Sequence, residues 1–131
     1  PRMDIQLDHL TIPSKDRVAA ARQLADLLGV SWGAAAAGPF TAVYVSDGLT
    51  LDFDQMDEPF PVTHVCFRVD DAGFDAVLGR LGAAGVTFRS SVRGPPDQQE
   101  GAYLGGRLVY WNVPDGHQWE MLTVSYARKP A

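Results

Sequence analysis

Polar and apolar residues alternate twice around a histidine. Asp8-His9-Leu10-Thr11-Ile12 opens one such segment and Thr63-His64-Val65-Cys66-Phe67-Arg68-Val69 opens another. Alternation over a short run predicts a half-buried strand. After each strand the period becomes helical. Ala20, Leu24, Leu27 and Leu28 share one helical face, with Ser14 as the expected N-cap and Gly29 as the stop. Phe74, Val77, Leu78 and Leu81 repeat the pattern, with Asp71 as cap and Gly85 as stop, although Gly79 and Gly82 weaken that helix. Strand-forming runs then return. Thr41 to Ser46 and Leu49 to Asp54 flank Asp47-Gly48, while Leu108 to Asn112 and His117 to Val124 flank Pro114-Asp115-Gly116. Glycine accepts the positive φ of a tight turn, so both Asp-Gly pairs predict hairpins. Short strands are expected around Val30 to Trp32 and Val86 to Phe88.

Each half thus predicts a strand, a helix and three strands. The halves also agree in detail: Asp52 follows Asp47-Gly48 at the offset at which Glu120 follows Asp115-Gly116. His9 therefore corresponds to His64, and Asp52 to Glu120. The expected organisation is α+β, with residues 1–58 as a first βαβββ module and 59–131 as a second. Asp57-Glu58-Pro59-Phe60-Pro61 forms the linker. Ser90 to Gly105, rich in Gly, Pro, Gln and Ser, is a long loop added to the second half; such loops often cover a site.

Strand parity decides which side chains can meet. Leu10 and Ile12 on one strand, and Val65, Phe67 and Val69 on the other, face the helices. His9 and Thr11, and His64 and Cys66, are left on the opposite, concave side. Asp52 and Glu120 fall on faces opposed to Leu51 and Phe53 and to Trp119 and Met121. Two histidines and one or two carboxylates can line one surface, a donor set that suits a first-row divalent metal with open positions for substrate.

Composition narrows the partners. The chain has 131 residues, 46% hydrophobic and 21% charged, with a net charge of -5 and one cysteine. Those values fit one folded domain and exclude wholesale disorder. Scattered basic residues argue against nucleic acid, and the short apolar runs argue against a membrane span. Cys66 alone excludes an internal disulfide, and with no leader pattern the expected compartment is cytoplasmic. Pro1 has an amine that could act as a base, but initiator-methionine removal explains it more simply.

The chain resembles the vicinal oxygen chelate superfamily of glyoxalase I, extradiol dioxygenases, fosfomycin-resistance enzymes and bleomycin-resistance proteins. The resemblance is carried by Asp8-His9-Leu10-Thr11, by Thr63-His64-Val65, and by the run from Val109 through Tyr110-Trp111-Asn112-Val113-Pro114-Asp115-Gly116-His117-Gln118-Trp119 to Glu120. It implies paired βαβββ modules forming a curved mixed sheet around a metal, with His9, His64 and Glu120 as ligands. It also implies a homodimer acting on a small molecule. Asp52 stands where glyoxalase I has a glutamate ligand, and Tyr110 where dioxygenases and fosfomycin enzymes have a tyrosine. The extra dioxygenase histidine has no counterpart near Gly101, and the fosfomycin enzymes' loop lysine and serines are missing.

The leading expectation is a divalent-metal-dependent, glyoxalase-like lyase or isomerase using Fe, Mn, Ni, Co or Zn, with Asp52 as base or labile ligand and Tyr110 near substrate. An Fe(II) extradiol-type dioxygenase is one alternative. A non-catalytic drug- or metabolite-binding protein of the antibiotic-resistance type is another. His117 is expected to cap its turn, Trp111 and Trp119 to pack, Cys66 to act as a small hydrophobe, and Arg93 and Arg107 to be solvated.

Overall fold

A computed structural model describes residues 4–129. Pro1 and its amine lie outside the described residues. The chain divides into two compact units, Pro1–Pro61 and Val62–Ala131.

The first unit runs β1 (His9–Ser14), α1 (Arg17–Leu28), β2 (Trp32–Ala34), β3 (Thr41–Ser46) and β4 (Leu49–Gln55). Its sheet has the order β1-β4-β3-β2, with β1 parallel to β4 and the other pairs antiparallel. The N-cap of α1 is Asp16, not Ser14: the Asp16 carboxylate accepts from the Ala19 amide at 3.1 Å. Ser14 stays in β1, paired with Gln55, and its buried hydroxyl accepts from the Asp16 amide. The helix therefore starts only after the strand has finished pairing. Gly29 ends it at φ 73°, its N–H donating to Ala25 O. Ala20, Leu24 and Leu27 are buried as expected, with Ala21 and Ala25, whose small side chains let α1 lie close on β3 and β4. The Asp47-Gly48 turn joins Ser46 to Leu49 without a left-handed glycine, next to a β-bulge between Tyr44 and Ser46. Lys15 Nζ donates to the carbonyls of Asp57 and Glu58, fixing the last residues of this unit.

The second unit runs β5 (His64–Arg68), α2 (Asp71–Ala83), β6 (Gly101–Tyr103), β7 (Gly106–Trp111) and β8 (Gln118–Leu122). Its order is β5-β8-β7-β6, again with the first pair parallel and the others antiparallel. Each unit is thus a βαβββ module with a four-stranded mixed sheet. Asp70, not Asp71, caps α2, its carboxylate accepting from the Gly73 amide at 2.8 Å. Asp70 keeps the extended backbone a cap needs, and Asp71 falls in the first turn, where its charge complements the helix dipole. Gly116 takes φ 87° in its turn, and its N–H donates to Asn112 O. The apolar sheet face buries Phe67, Val109, Trp111, Trp119 and Met121, with the Phe67 and Trp119 rings stacked 6.1 Å apart.

The strand expected at Val86 to Phe88 does not form. Gln98 takes its hydrogen bonds instead: Gln98 N donates to Phe88 O, its Nε2 donates to Val86 O, and its Oε1 accepts from Phe88 N. A single bridge, Arg89 to Tyr110, follows, and the missing strand is supplied from inside the long loop as β6. Ser90 and Asp97 close the loop's neck, and this hydrogen bond from the Ser90 hydroxyl holds the Asp97 carboxyl below its usual range. Arg107 on β7 is not merely solvated. It pairs with Asp75 at 2.6 Å and Glu100 at 2.7 Å and lies over the Phe74 ring. Those hydrogen bonds raise the Arg107 pKa, while the guanidinium lowers that of Glu100. Among the described residues no helix is long and apolar enough to cross a membrane.

Candidate functional site

In the second unit the register sets the chemistry. β5 and β8 pair His64 with Gln118 and Cys66 with Glu120, and β7 and β8 pair Tyr110 with Glu120. Alternation puts His64, Cys66, Glu120 and Tyr110 on the face opposite the Phe67 and Trp119 stack. Within it, His64 Nδ1 lies 2.8 Å from the Gln118 carbonyl oxygen and Nε2 lies 3.1 Å from Glu120 Oε1. A carbonyl can only accept, so Nδ1 donates to it, while Nε2 is turned toward the Glu120 carboxylate. Glu120 is fully buried. Its Oε1 accepts a 2.5 Å hydrogen bond from the Tyr126 hydroxyl, and its Oε2 is buried with no hydrogen-bond partner.

These groups fit a divalent cation. A buried carboxylate oxygen left without a partner is costly, by about 1–3 kcal/mol or more. A cation removes that penalty. The imidazole is held from behind by a backbone carbonyl at Nδ1, which leaves Nε2 as the nitrogen that can meet a metal. Two donors about 3 Å apart match neighbouring ligands on one ion at roughly 2.1 Å each.

The surrounding groups are held neutral. Burial raises the pKa of Tyr110, which stays a phenol at neutral pH. Cys66 is accessible at its surface, yet burial of the sulfur and the Glu120 charge push its thiol up to about 12. His117 has a structural role: it is buried, Nδ1 accepts from the Thr63 amide at 3.0 Å, and its ring meets Trp119 edge-on. This bond fixes the chain just before His64.

In the first unit His9 and Asp52 share a sheet face. His9 pairs with Thr50, and Asp52 with Thr11 and Ala42. Both line a cleft of about 460 Å³ with Phe40, Ala42 and Tyr44. Asp8 holds His9 Nδ1 at 2.7 Å and raises the His9 pKa. Each histidine is thus held at Nδ1, His9 by a carboxylate and His64 by a backbone carbonyl.

The first unit therefore carries His9 and Asp52, and the second His64, Glu120 and Tyr110. Among the described residues no group of three or more His, Cys, Asp or Glu side chains is placed to hold a metal ion. The sequence reading missed Tyr126. It lies beyond the last strand, in a segment with no periodicity, and its only signal is a tyrosine a short way past Glu120.

No family model matches the chain. It is 36% identical over 70 residues to the fosfomycin resistance protein FosX of Mesorhizobium japonicum, a match covering 50% of this chain and 45% of that protein. The chain thus spans less than half the length of that curated relative. Among solved structures it is similar to the oxidase ChaP-H2, with a TM-score of 0.86 and 34% identity over 95% of this chain and 98% of that one. The oxidase ChaP-H1 gives 0.85 and 36%, over 95% and 100%. With the paired βαβββ modules and the histidine and carboxylate positions already described, these likenesses identify the family: the chain belongs to the vicinal oxygen chelate superfamily.

Proposed function

We propose that this chain is a divalent-metal-dependent enzyme acting on a small oxygenated molecule by oxidase chemistry. The observation that carries the metal reading is the buried Glu120 carboxylate, with Oε1 3.1 Å from His64 Nε2 and Oε2 without a hydrogen-bond partner. In the second unit His64 and Glu120 would hold the ion; His9, of the first unit, is the further ligand that the family resemblance implies. When bound, it supplies a Lewis acid with open positions for two neighbouring substrate oxygens. Tyr110, kept protonated by burial, donates a hydrogen bond to a substrate oxygen. Asp52, on the same sheet face as His9, accepts a proton from the substrate. The likeness to two oxidases over nearly the whole chain favours oxygen chemistry over the lyase or isomerase reaction. A homodimer is the proposed assembly.

Aerobic and anaerobic assays of protein reconstituted separately with Fe(II), Mn, Ni, Co and Zn test this reading. Catechols and α-hydroxyketones serve as the panel. Oxygen uptake with Fe(II) supports the oxidase. Turnover without oxygen returns the glyoxalase-like reaction. Failure of wild type to retain any of the metals points to the binding-protein alternative.

A further inference from the structure

We infer that Tyr126 is a positioning residue for Glu120, its hydroxyl fixing the orientation of the carboxylate beside His64 Nε2. The inference rests on the reading of Glu120 as a ligand.

Three observations carry it. The Tyr126 hydroxyl donates to Glu120 Oε1 at 2.5 Å, a short, charge-assisted bond. The same Oε1 faces His64 Nε2, whereas Oε2 is buried and takes no hydrogen bond. Tyr126 and His64 thus meet the carboxylate at the same oxygen, and rotation about its terminal bond would break the Tyr126 contact. The Tyr126 ring is itself held. Tyr103 on β6 meets it edge-on at 5.6 Å, and Tyr126 lines a cleft of about 480 Å³ with His64 and Cys66. Tyr126, from the segment after β8, thus reaches the carboxylate from outside its own strand, and Tyr103 braces its ring. Groups that orient a ligand in this way typically change metal affinity ten- to a hundred-fold.

Tyr126→Phe keeps the ring and deletes only the donor. Co(II) binding by the full chain, measured by chelator competition and by the visible absorption of the bound ion, reads the effect. Wild type, His64→Ala and Tyr103→Leu are run beside it. Weaker Co(II) binding in Tyr126→Phe by about ten- to a hundred-fold, with an altered absorption band and folded metal-free protein, is the expected result. A thermal shift alone, with affinity and spectrum as in wild type, overturns the inference and leaves Tyr126 as a structural tie. If Tyr126→Phe does not fold, Tyr103→Leu decides: it loosens the ring from an exposed position, and wild-type affinity there overturns the inference. Wild type that binds no Co(II), or His64→Ala that binds it equally well, overturns the metal reading itself and the inference with it.

Discussion

His64 and Glu120 stand 3.1 Å apart across a parallel strand pair, yet they are not register partners. His64 lies opposite Gln118, takes that residue's carbonyl with Nδ1, and so leans diagonally toward the carboxylate two residues on. The backbone of the neighbouring strand thus sets the aim of the imidazole. A Glu120→Gln variant isolates what the charge does. Its metal-free melting temperature is expected not to fall, because a buried charge is replaced by a neutral amide of the same shape. The rise in wild-type stability on adding metal, about 2.7 kcal/mol at a hundred times Kd, is expected to vanish. Thermal melts with and without metal check both halves.

The helix caps give a prediction independent of function. Asp70→Ala removes the carboxylate that accepts from the Gly73 amide and should cost about 1 kcal/mol. Asp71→Ala removes a first-turn charge and a long, exposed contact to Arg107, and should cost less than half as much. Denaturant titrations of the two variants rank them. Equal losses would return the cap to Asp71.

Cys66 should react slowly despite its exposure. With its thiol pushed up to about 12, little thiolate exists at neutral pH, and the thiolate is the nucleophile. Alkylation of the metal-free protein by iodoacetamide should keep accelerating as the pH rises past that of an ordinary cysteine. A rate that levels off near pH 9 would contradict the burial of the sulfur.

The long loop should loosen in acid. Asp97 and Glu100 have carboxyls held below their usual ranges by Ser90 and by Arg107. A depressed folded-state pKa means stabilisation that is fully present above the unfolded value and lost as the pH falls through the folded one. Protection of residues 90–103 against hydrogen exchange, corrected for intrinsic rates, should therefore hold above about pH 5 and decline below pH 4. Unchanged protection down to pH 2 would show that these bonds do not hold the loop.

The repeat made much of this legible. Alternation about His9 and His64, and the matched turns before Asp52 and Glu120, were enough to predict two βαβββ modules and to put each histidine on the polar sheet face. Local chemistry was harder to read. Ser14 and Asp16 are both good caps, and only the pairing of Ser14 with Gln55 decides between them. Val86 to Phe88 has the composition of a strand, but Gln98 satisfies its backbone from a position no periodicity marks. Tyr126 is invisible for the same reason: its role depends on where a segment without regular structure returns, not on any spacing.

The Gln98 contact also separates two kinds of sequence change. Ser90 and Asp97 are joined at the neck, and Gln98 and Arg89 fasten the flanks to Phe88 and Tyr110. Residues 91–96 therefore hang from a closed ring whose ends are fixed without them. Lengthening such a segment adds little, since closure entropy grows only slowly with length. This stretch is a socket for insertions: added residues there leave the strands bearing His64 and Glu120 in register.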